Sequence, residues 1–160
     1  MKYLILIRHA TAESENFQKK DFERQLEAIG RKESEKVGEF IKGKGINPEK
    51  VVASSALRTM ETAKLATGVL GFNPDNIVSS PDLYNAGFQK IIGEIYKTGD
   101  DVQTLVLVAH NPGISQASTA LAKTGNFQLA PSAAVSLSFQ IEKWSEIVAA
   151  SGTENWYYFP

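Results

Sequence analysis

The stretch Leu4-Ile5-Leu6-Ile7-Arg8-His9-Ala10 decides the fold of this chain. Its consecutive apolar residues are typical of a buried β-strand, and the strand ends at an arginine followed by a histidine. The stretch Leu105-Val106-Leu107-Val108-Ala109-His110-Asn111-Pro112-Gly113 has the same form. The chain contains 2 histidines, one in each stretch. The sequence therefore predicts two central strands with one histidine at the end of each.

The rest of the chain alternates between apolar runs and helical spacing, with glycine or proline at the boundaries. We predict helices over residues 26–42, 56–70, 88–97 and 112–123, and strands over residues 3–7, 51–53, 77–80, 104–109 and 135–141. The terminal aromatic residues 156–159 predict an edge strand or a packed tail. This alternation predicts an α/β fold: a three-layer sandwich in which helices flank a mostly parallel central sheet. Residues 1–160 are expected to form one domain.

Two helix starts carry capping residues. Ser54 and Ser55 precede the predicted second helix, and serine is a favoured N-cap. Asn111 and Pro112 precede the fourth helix, which predicts an asparagine cap followed by proline at the first helical position.

Composition narrows the possible functions. The chain has 160 residues, a formal net charge of -1 and no cysteine. The charge gives no indication of a nucleic-acid partner, and the missing cysteines exclude a thiolate nucleophile. No apolar run approaches the length that spans a membrane, so no membrane association is expected, and a cytoplasmic location is the default expectation.

Ligands of parallel α/β sheets bind beyond the carboxyl ends of the strands. Arg8, His9 and His110 fall at such ends, and Arg58 lies in the first turn of a predicted helix. Guanidinium groups bind two phosphate oxygens at once, and a neutral imidazole can attack phosphorus. These residues, with Asn111, predict a pocket for phosphate in which His9 forms a phosphohistidine intermediate. No metal or other cofactor is expected, because two arginines would repel the cation in an alternative metal site.

Three segments resemble a known family. Arg8-His9-Ala10 is similar to the Arg-His-Gly signature of the histidine phosphatase superfamily, also called phosphoglycerate mutase-like. Residues 54–63 and 108–112 are similar to the second arginine and second histidine segments of that family. The short length, together with residues 21–26 and 83–86, resembles the SixA branch of phosphohistidine phosphatases.

The resemblance implies a role for each site residue. His9 would be the nucleophile, and Arg8, Arg58 and His110 would bind phosphate. Ala10 departs from the usual glycine, and we expect the change to be mild because the position need not have an unusual backbone angle.

The second departure concerns the proton donor. Larger members of the superfamily protonate an alkoxide leaving group with a carboxylic acid, and the candidates in this chain are Asp82 and Glu13. An alkoxide leaving group needs a proton donor, because its conjugate acid has a pKa on the order of that of water, about 15.7. A ring-protonated phosphohistidine leaves as imidazole, whose conjugate acid has a pKa of about 6.5. A missing acid therefore favours phosphohistidine on a protein as the substrate, with inorganic phosphate as the product.

Two alternatives remain open at this point. The chain would be a small-molecule phosphomonoesterase if Asp82 or Glu13 serves as the acid, and its partner would then be a small phosphate ester. It would be a phosphate-binding module if turnover has been lost, although both histidines and both arginines are present.

Overall fold

A computed structural model describes residues 1–160, and all of its strands belong to one six-stranded sheet. The strands are β1 (Lys2–Arg8), β2 (Lys50–Ser54), β3 (Val78–Ser80), β4 (Thr104–Ala109), β5 (Ala134–Phe139) and β6 (Thr153–Tyr158), in the spatial order β3-β2-β4-β1-β5-β6. The first four strands pair in parallel, and β5 and β6 are antiparallel to their neighbours. The predicted α/β sandwich with a mostly parallel sheet is confirmed.

The helices cover both faces of the sheet. They are α1 (Ala28–Gly43), α2 (Leu57–Gly68), α3 (Phe88–Tyr96) and α4 (Gly113–Leu121). Side chains of a strand point alternately to the two faces. In β1, Ile5 and Ile7 pack in the cluster of α1 and α2, whereas Leu4 and Leu6 pack in the cluster of α3 and α4. Burial on both faces explains why the central strands are continuously apolar. No helix combines the length and apolar composition needed to cross a membrane.

The register of the two central strands brings the histidines together. Strands β1 and β4 are parallel neighbours, and Arg8 is paired with Ala109. The next residue on each strand is therefore a histidine, His9 on one and His110 on the other. A pairing shifted by a few residues would separate the two rings along the sheet edge.

The segment after His9 is fixed against α1. The main-chain N–H of Thr11 donates to Glu33 Oε2 at 2.9 Å, and its hydroxyl donates to Glu33 Oε1 at 3.0 Å. Gly30 allows this close approach, because a Cβ atom there would lie 2.0 Å from the carbonyl oxygen of Thr11. The chain direction beyond the histidine is thus set by packing on the first turns of α1.

Both capping predictions are wrong. The N-cap of α2 is Ala56, not Ser54 or Ser55, and the N-cap of α4 is Pro112, not Asn111; neither makes a side-chain capping bond. The Asn111 side chain has other partners, since Nδ2 donates to the Leu129 carbonyl at 2.9 Å and Oδ1 accepts from the Ser115 hydroxyl at 2.6 Å. The Ser54 hydroxyl contacts His110, as described below. Contacts with residues distant in the chain thus engage both side chains that the local sequence assigns to helix ends, and Ser54 Oγ also accepts from the main-chain N–H of Ala56 at 3.4 Å.

Candidate active site

The four residues predicted to form the phosphate pocket lie together. The rings of His9 and His110 are 5.2 Å apart, centroid to centroid, and inclined by 61°. Arg58 Nη2 lies 3.3 Å from His110 Nδ1. The charge of Arg8 also reaches both imidazoles, where it disfavours their protonation. The structure therefore brings together residues that are up to 102 positions apart, from Arg8 to His110 (110 − 8).

The His9 ring is oriented by its own main chain. Its Nδ1 lies 2.8 Å from the carbonyl oxygen of Ala10, an acceptor, so Nδ1 carries the proton. The unprotonated Nε2 makes no hydrogen bond within the protein and is the nitrogen available for attack. Burial lowers the pKa of His9 to about 4, and the charges of Arg58 and Arg8 act in the same direction. His9 is therefore a neutral imidazole at neutral pH, as a nucleophile must be.

Ala10 has no unusual backbone angle. It is not among the residues of positive φ, and its main-chain N–H donates to Thr62 Oγ1 at 3.0 Å. The position therefore requires no glycine-specific backbone angle, and the mild effect of alanine stays a prediction.

His110 is held between Ser54 and Arg58. Its Nε2 lies 2.7 Å from Ser54 Oγ, and its Nδ1 faces Arg58 Nη2, which is always a donor. The proton of neutral His110 is thus on Nε2 and is donated to Ser54. Burial is the main cause that lowers the pKa of His110 to about 3, and the neighbouring His9 and Arg58 act in the same direction. A bound phosphate would bring negative charge beside the ring and favour the imidazolium form.

The two histidines should titrate unusually low. We expect nuclear magnetic resonance of the folded, ligand-free chain to show His9 changing charge near pH 4 and His110 near pH 3. The unfolded chain binds these protons near the ordinary histidine pKa of about 6.5, so the free energy of unfolding should fall as the pH drops below that value. The chain has 2 histidines, which makes the assignment direct once one is replaced. Midpoints near 6.5 for both rings would contradict the buried, cation-flanked site.

Ser54 contributes to the site by accepting a hydrogen bond from His110. The sequence did not reveal this role, because a serine before a helix is ordinarily a cap. We expect Ser54→Ala to lower kcat about 5- to 10-fold, because His110 loses a hydrogen bond worth about 1 kcal/mol that fixes its ring. Steady-state kinetics on an aryl phosphate would measure this change. Ser55→Ala is the matched control, since no hydrogen bond of the Ser55 hydroxyl is present, and equal effects of the two variants would contradict the role of Ser54.

Arg8 and Arg58 are anchored in the same way. Arg8 Nη1 donates to the carbonyl of Leu129 at 2.9 Å, and Arg58 Nη1 donates to the carbonyl of Asp21 at 2.7 Å. The Nε atoms of both side chains are buried and have no hydrogen-bond partner. A buried donor without an acceptor destabilises the protein, and these two Nε atoms are such donors. Arg8 is therefore fixed through Nη1, whereas Arg58 is fixed through both Nη1 and Nη2, and the Nε of each guanidinium has no partner within the protein.

Asn111 contacts the same loop carbonyl that anchors Arg8. Its side chain donates to the same Leu129 carbonyl that anchors Arg8, so the asparagine helps to hold the loop that holds the arginine. Its main-chain N–H makes no hydrogen bond within the protein. That N–H is the part of Asn111 left for a phosphate oxygen.

Asp21 is a carboxylate at the edge of the pocket. Its Oδ2 accepts from Tyr84 Oη at 2.5 Å and Arg58 Nη2 at 3.1 Å, and its Oδ1 accepts from Arg24 Nη1 at 2.6 Å. Burial alone would raise the pKa of Asp21, but these hydrogen bonds and the charge of Arg58 hold it well below its usual range. Asp21 is therefore ionised and cannot donate a proton. Tyr84 also contacts His110 edge-on, with ring centroids 5.7 Å apart.

The two carboxylates predicted as possible acids lie among other partners. Asp82 is exposed and forms an ion pair with Lys97 at 3.1 Å. Glu13 pairs with Lys19 at 2.7 Å and accepts from the main-chain N–H of Gln25 at 3.0 Å. Hydrogen bonding to Lys19 lowers the pKa of Glu13, which favours its ionised form. Neither carboxylate forms a hydrogen bond or an ion pair with Arg8, His9, Arg58 or His110.

Two cavities, of about 740 and 420 Å³, lie outside the group of His9, Arg58 and His110, since none of these three residues lines either cavity. Asn111 lines the second cavity, together with Pro112 and Ser115.

The fold, with a histidine after each of two central strands and two arginines beside them, indicates a protein that acts on phosphate groups. The model of the histidine phosphatase superfamily (branch 1) matches residues 4–103, and the chain belongs to that family. Family membership supports a phosphatase. A chloroplastic protein of Arabidopsis thaliana, itself described as uncharacterized, is 29% identical over 163 residues, covering 96% of this chain and 73% of the relative.

Solved structures with the same fold are more distant in sequence. A candidate phosphohistidine phosphatase SixA from Nakamurella multipartitia matches with a TM-score of 0.86 and 23% identity, covering 99% of this chain and 96% of the other. The protein histidine phosphatase SixA complexed with tungstate matches with a TM-score of 0.81 and 21% identity, covering 97% and 95%. A mycobacterial glucosyl-3-phosphoglycerate phosphatase matches with a TM-score of 0.67 and 16% identity, covering 92% and 95%. The fold is that of the SixA phosphatases within a broader phosphatase family.

Proposed function

We propose that this chain is a metal-independent phosphohistidine phosphatase, which removes a phosphoryl group from phosphohistidine on a protein through a covalent intermediate on His9. The observation that carries the proposal is that the side chain of Asp21, at the edge of the pocket, is ionised. Asp21 is held ionised by Arg24, Arg58 and Tyr84, so the group best placed to assist an alkoxide has no proton to give. A leaving group that needs no acid suits this site.

The first step is transfer to the enzyme. The lone pair on His9 Nε2 forms a bond to phosphorus while the bond from phosphorus to the substrate nitrogen breaks. The electron pair of the broken bond stays on that nitrogen, so a substrate ring protonated on its other nitrogen leaves as neutral imidazole. The donors on Arg8 and Arg58 stabilise the equatorial oxygens, where charge accumulates in the transition state. His9 keeps its proton on Nδ1, bound to the Ala10 carbonyl, so the phosphorylated ring carries a positive charge.

The second step is hydrolysis. Water attacks phosphorus, the bond to Nε2 breaks, and the electron pair returns to that nitrogen. Because Nδ1 already carries a proton, His9 leaves as neutral imidazole and is ready for another cycle. The water proton passes to the phosphate product or to solvent. Neither step requires a proton from a carboxylic acid.

The remaining assignments follow the same proposal. The partner is a protein that carries phosphohistidine, the product is inorganic phosphate, and residues 1–160 act as one domain because all six strands form one sheet. His9 is the nucleophile, and Arg8, Arg58, His110 and the main-chain N–H of Asn111 bind the phosphoryl group. The tungstate complex of a structural relative supports an oxyanion site in this fold.

A substrate panel tests the proposal. We expect a phosphohistidine peptide to have a higher kcat/KM than an alkyl phosphate monoester under matched conditions, with an aryl phosphate between them because its leaving group is less basic. A faster alkyl ester would overturn the phosphohistidine assignment. In that case the variants Asp82→Asn and Glu13→Gln would identify the acid of a phosphomonoesterase. If no substrate is turned over and phosphate is still bound, the chain is instead a phosphate-binding module.

A further inference from the structure

Asp21 shares the guanidinium of Arg58 with the phosphate pocket. Arg58 Nη2 donates to Asp21 Oδ2 at 3.1 Å and also lies 3.3 Å from His110 Nδ1. One nitrogen thus stands between the carboxylate and the pocket. The Arg58 side chain is 5% exposed and that of Asp21 is 30% exposed, so the pair is partly shielded from solvent and its field is not fully screened.

The charge of Asp21 reaches the interior of the pocket. Burial, His9 and Arg58 lower the pKa of His110, whereas the negative charge of Asp21 raises it. The same negative charge must oppose a phosphate anion placed beside that ring. The anion would also be attracted by Arg8 and Arg58, so the two effects compete in a single small site.

We propose that Asp21 is a positioning residue and the resident counterion of Arg58: it fixes the guanidinium and weakens the hold of the pocket on phosphate, so that the product is released. The inference rests on the phosphate pocket of the proposed function and not on the identity of its substrate. A pocket with uncompensated arginines would retain inorganic phosphate, and slow product release limits turnover in many enzymes.

The anchoring of Arg58 makes the two roles of Asp21 separable. Arg58 Nη1 donates to the main-chain carbonyl of Asp21, and this contact does not depend on the side chain. An asparagine side chain in place of the carboxylate still offers one oxygen to Arg58 Nη2 and Tyr84. Asp21→Asn therefore removes the negative charge while retaining most of the anchor.

Calorimetric titration with inorganic phosphate tests the proposal directly. We expect Asp21→Asn to bind phosphate about 10-fold more tightly than the unmodified protein, because it removes a full negative charge that is hydrogen-bonded to Arg58 of the phosphate pocket. In turnover, both KM and kcat should fall, and phosphate should become a stronger product inhibitor. A residue that only maintained the structure would have the opposite effect, because a loosened Arg58 binds phosphate more weakly. Unchanged or weaker phosphate binding in the folded variant would overturn the proposal.

Glu23→Gln is the matched control. Glu23 lies on the same 3-10 turn, Asp21–Glu23, is exposed and forms no ion pair, so its neutralisation should leave the phosphate affinity within about 2-fold, because exposed charges are screened by salt. Asp21→Glu keeps the charge and should bind phosphate no more tightly than the unmodified protein. Tighter binding by either variant would overturn the proposal.

Thermal unfolding shows whether each variant is folded. If Asp21→Asn does not fold, Asp21→Ser supplies a smaller neutral side chain, and the same tightening is expected. Because inorganic phosphate is the probe, a result against phosphohistidine as the substrate leaves this experiment unaffected.

Discussion

Replacing His9 with alanine is expected to reduce turnover on the order of 10⁴-fold or more, the scale on which removal of a covalent nucleophile acts. The variant lacks the Nε2 lone pair that attacks phosphorus, and both nitrogens of the other imidazole, His110, are engaged by Arg58 and Ser54. Its fold should persist, because the one hydrogen bond of the His9 side chain is made to the neighbouring Ala10 carbonyl. Single-turnover measurements on an aryl phosphate detect the loss without interference from slow product release.

Binding distinguishes loss of chemistry from loss of the site. Arg8, Arg58 and His110 are held by contacts that do not involve His9, so His9→Ala should still bind inorganic phosphate or tungstate. Turnover within about 10-fold of the unmodified protein would show that His9 is not the nucleophile, since such a residue contributes far more than that.

Replacing Arg58 with lysine should lower kcat/KM by about 10²- to 10³-fold, the range seen when a donor to a transition-state oxyanion is removed. Lysine retains the positive charge but offers one ammonium group in place of a rigid planar fork. It cannot contact the Asp21 carbonyl, the Asp21 carboxylate and a phosphate oxygen in the geometry that Arg58 provides.

Arg31→Lys is the matched control for this substitution. Arg31 makes an ion pair with Glu61 at 2.8 Å on the surface, and its side chain is 46% exposed. Exposed ion pairs contribute about 0–1 kcal/mol, so this control should change neither activity nor stability appreciably. A loss of activity in Arg58→Lys no greater than that in Arg31→Lys would show that Arg58 contributes charge alone, or nothing, to the reaction.

The central strands and the meeting of the histidines were predictable because they follow from local pattern and sheet geometry. A continuous apolar run such as Leu105 to Ala109 has few alternatives to a strand buried on both faces. Parallel pairing then places the residues after two such strands at one edge, which brought His9 and His110 together. Arg58 was predictable for a similar reason, since it lies in the first turn of a helix that follows another strand.

The fine contacts of the site were not predictable from the sequence. Ser54 and Asn111 have the local pattern of helix caps, yet Ser54 contacts His110 and Asn111 contacts Leu129. These partners are up to 56 residues away in the chain, and no local rule specifies them. Asp21 was visible as part of a segment that resembles the SixA branch, but its role depends on the positions of three side chains around it.

The most direct test of the account is the site of phosphorylation in the trapped enzyme. Because His9 Nδ1 is bound to the Ala10 carbonyl, phosphorylation should occur on His9 Nε2. Rapid quenching under alkaline conditions, peptide mass spectrometry and phosphorus nuclear magnetic resonance would locate it. We predict an acid-labile phosphoryl group on Nε2 of His9, absent from His9→Ala. An acid-stable phosphoryl group, or one on Nδ1 or on another residue, would contradict the mechanism.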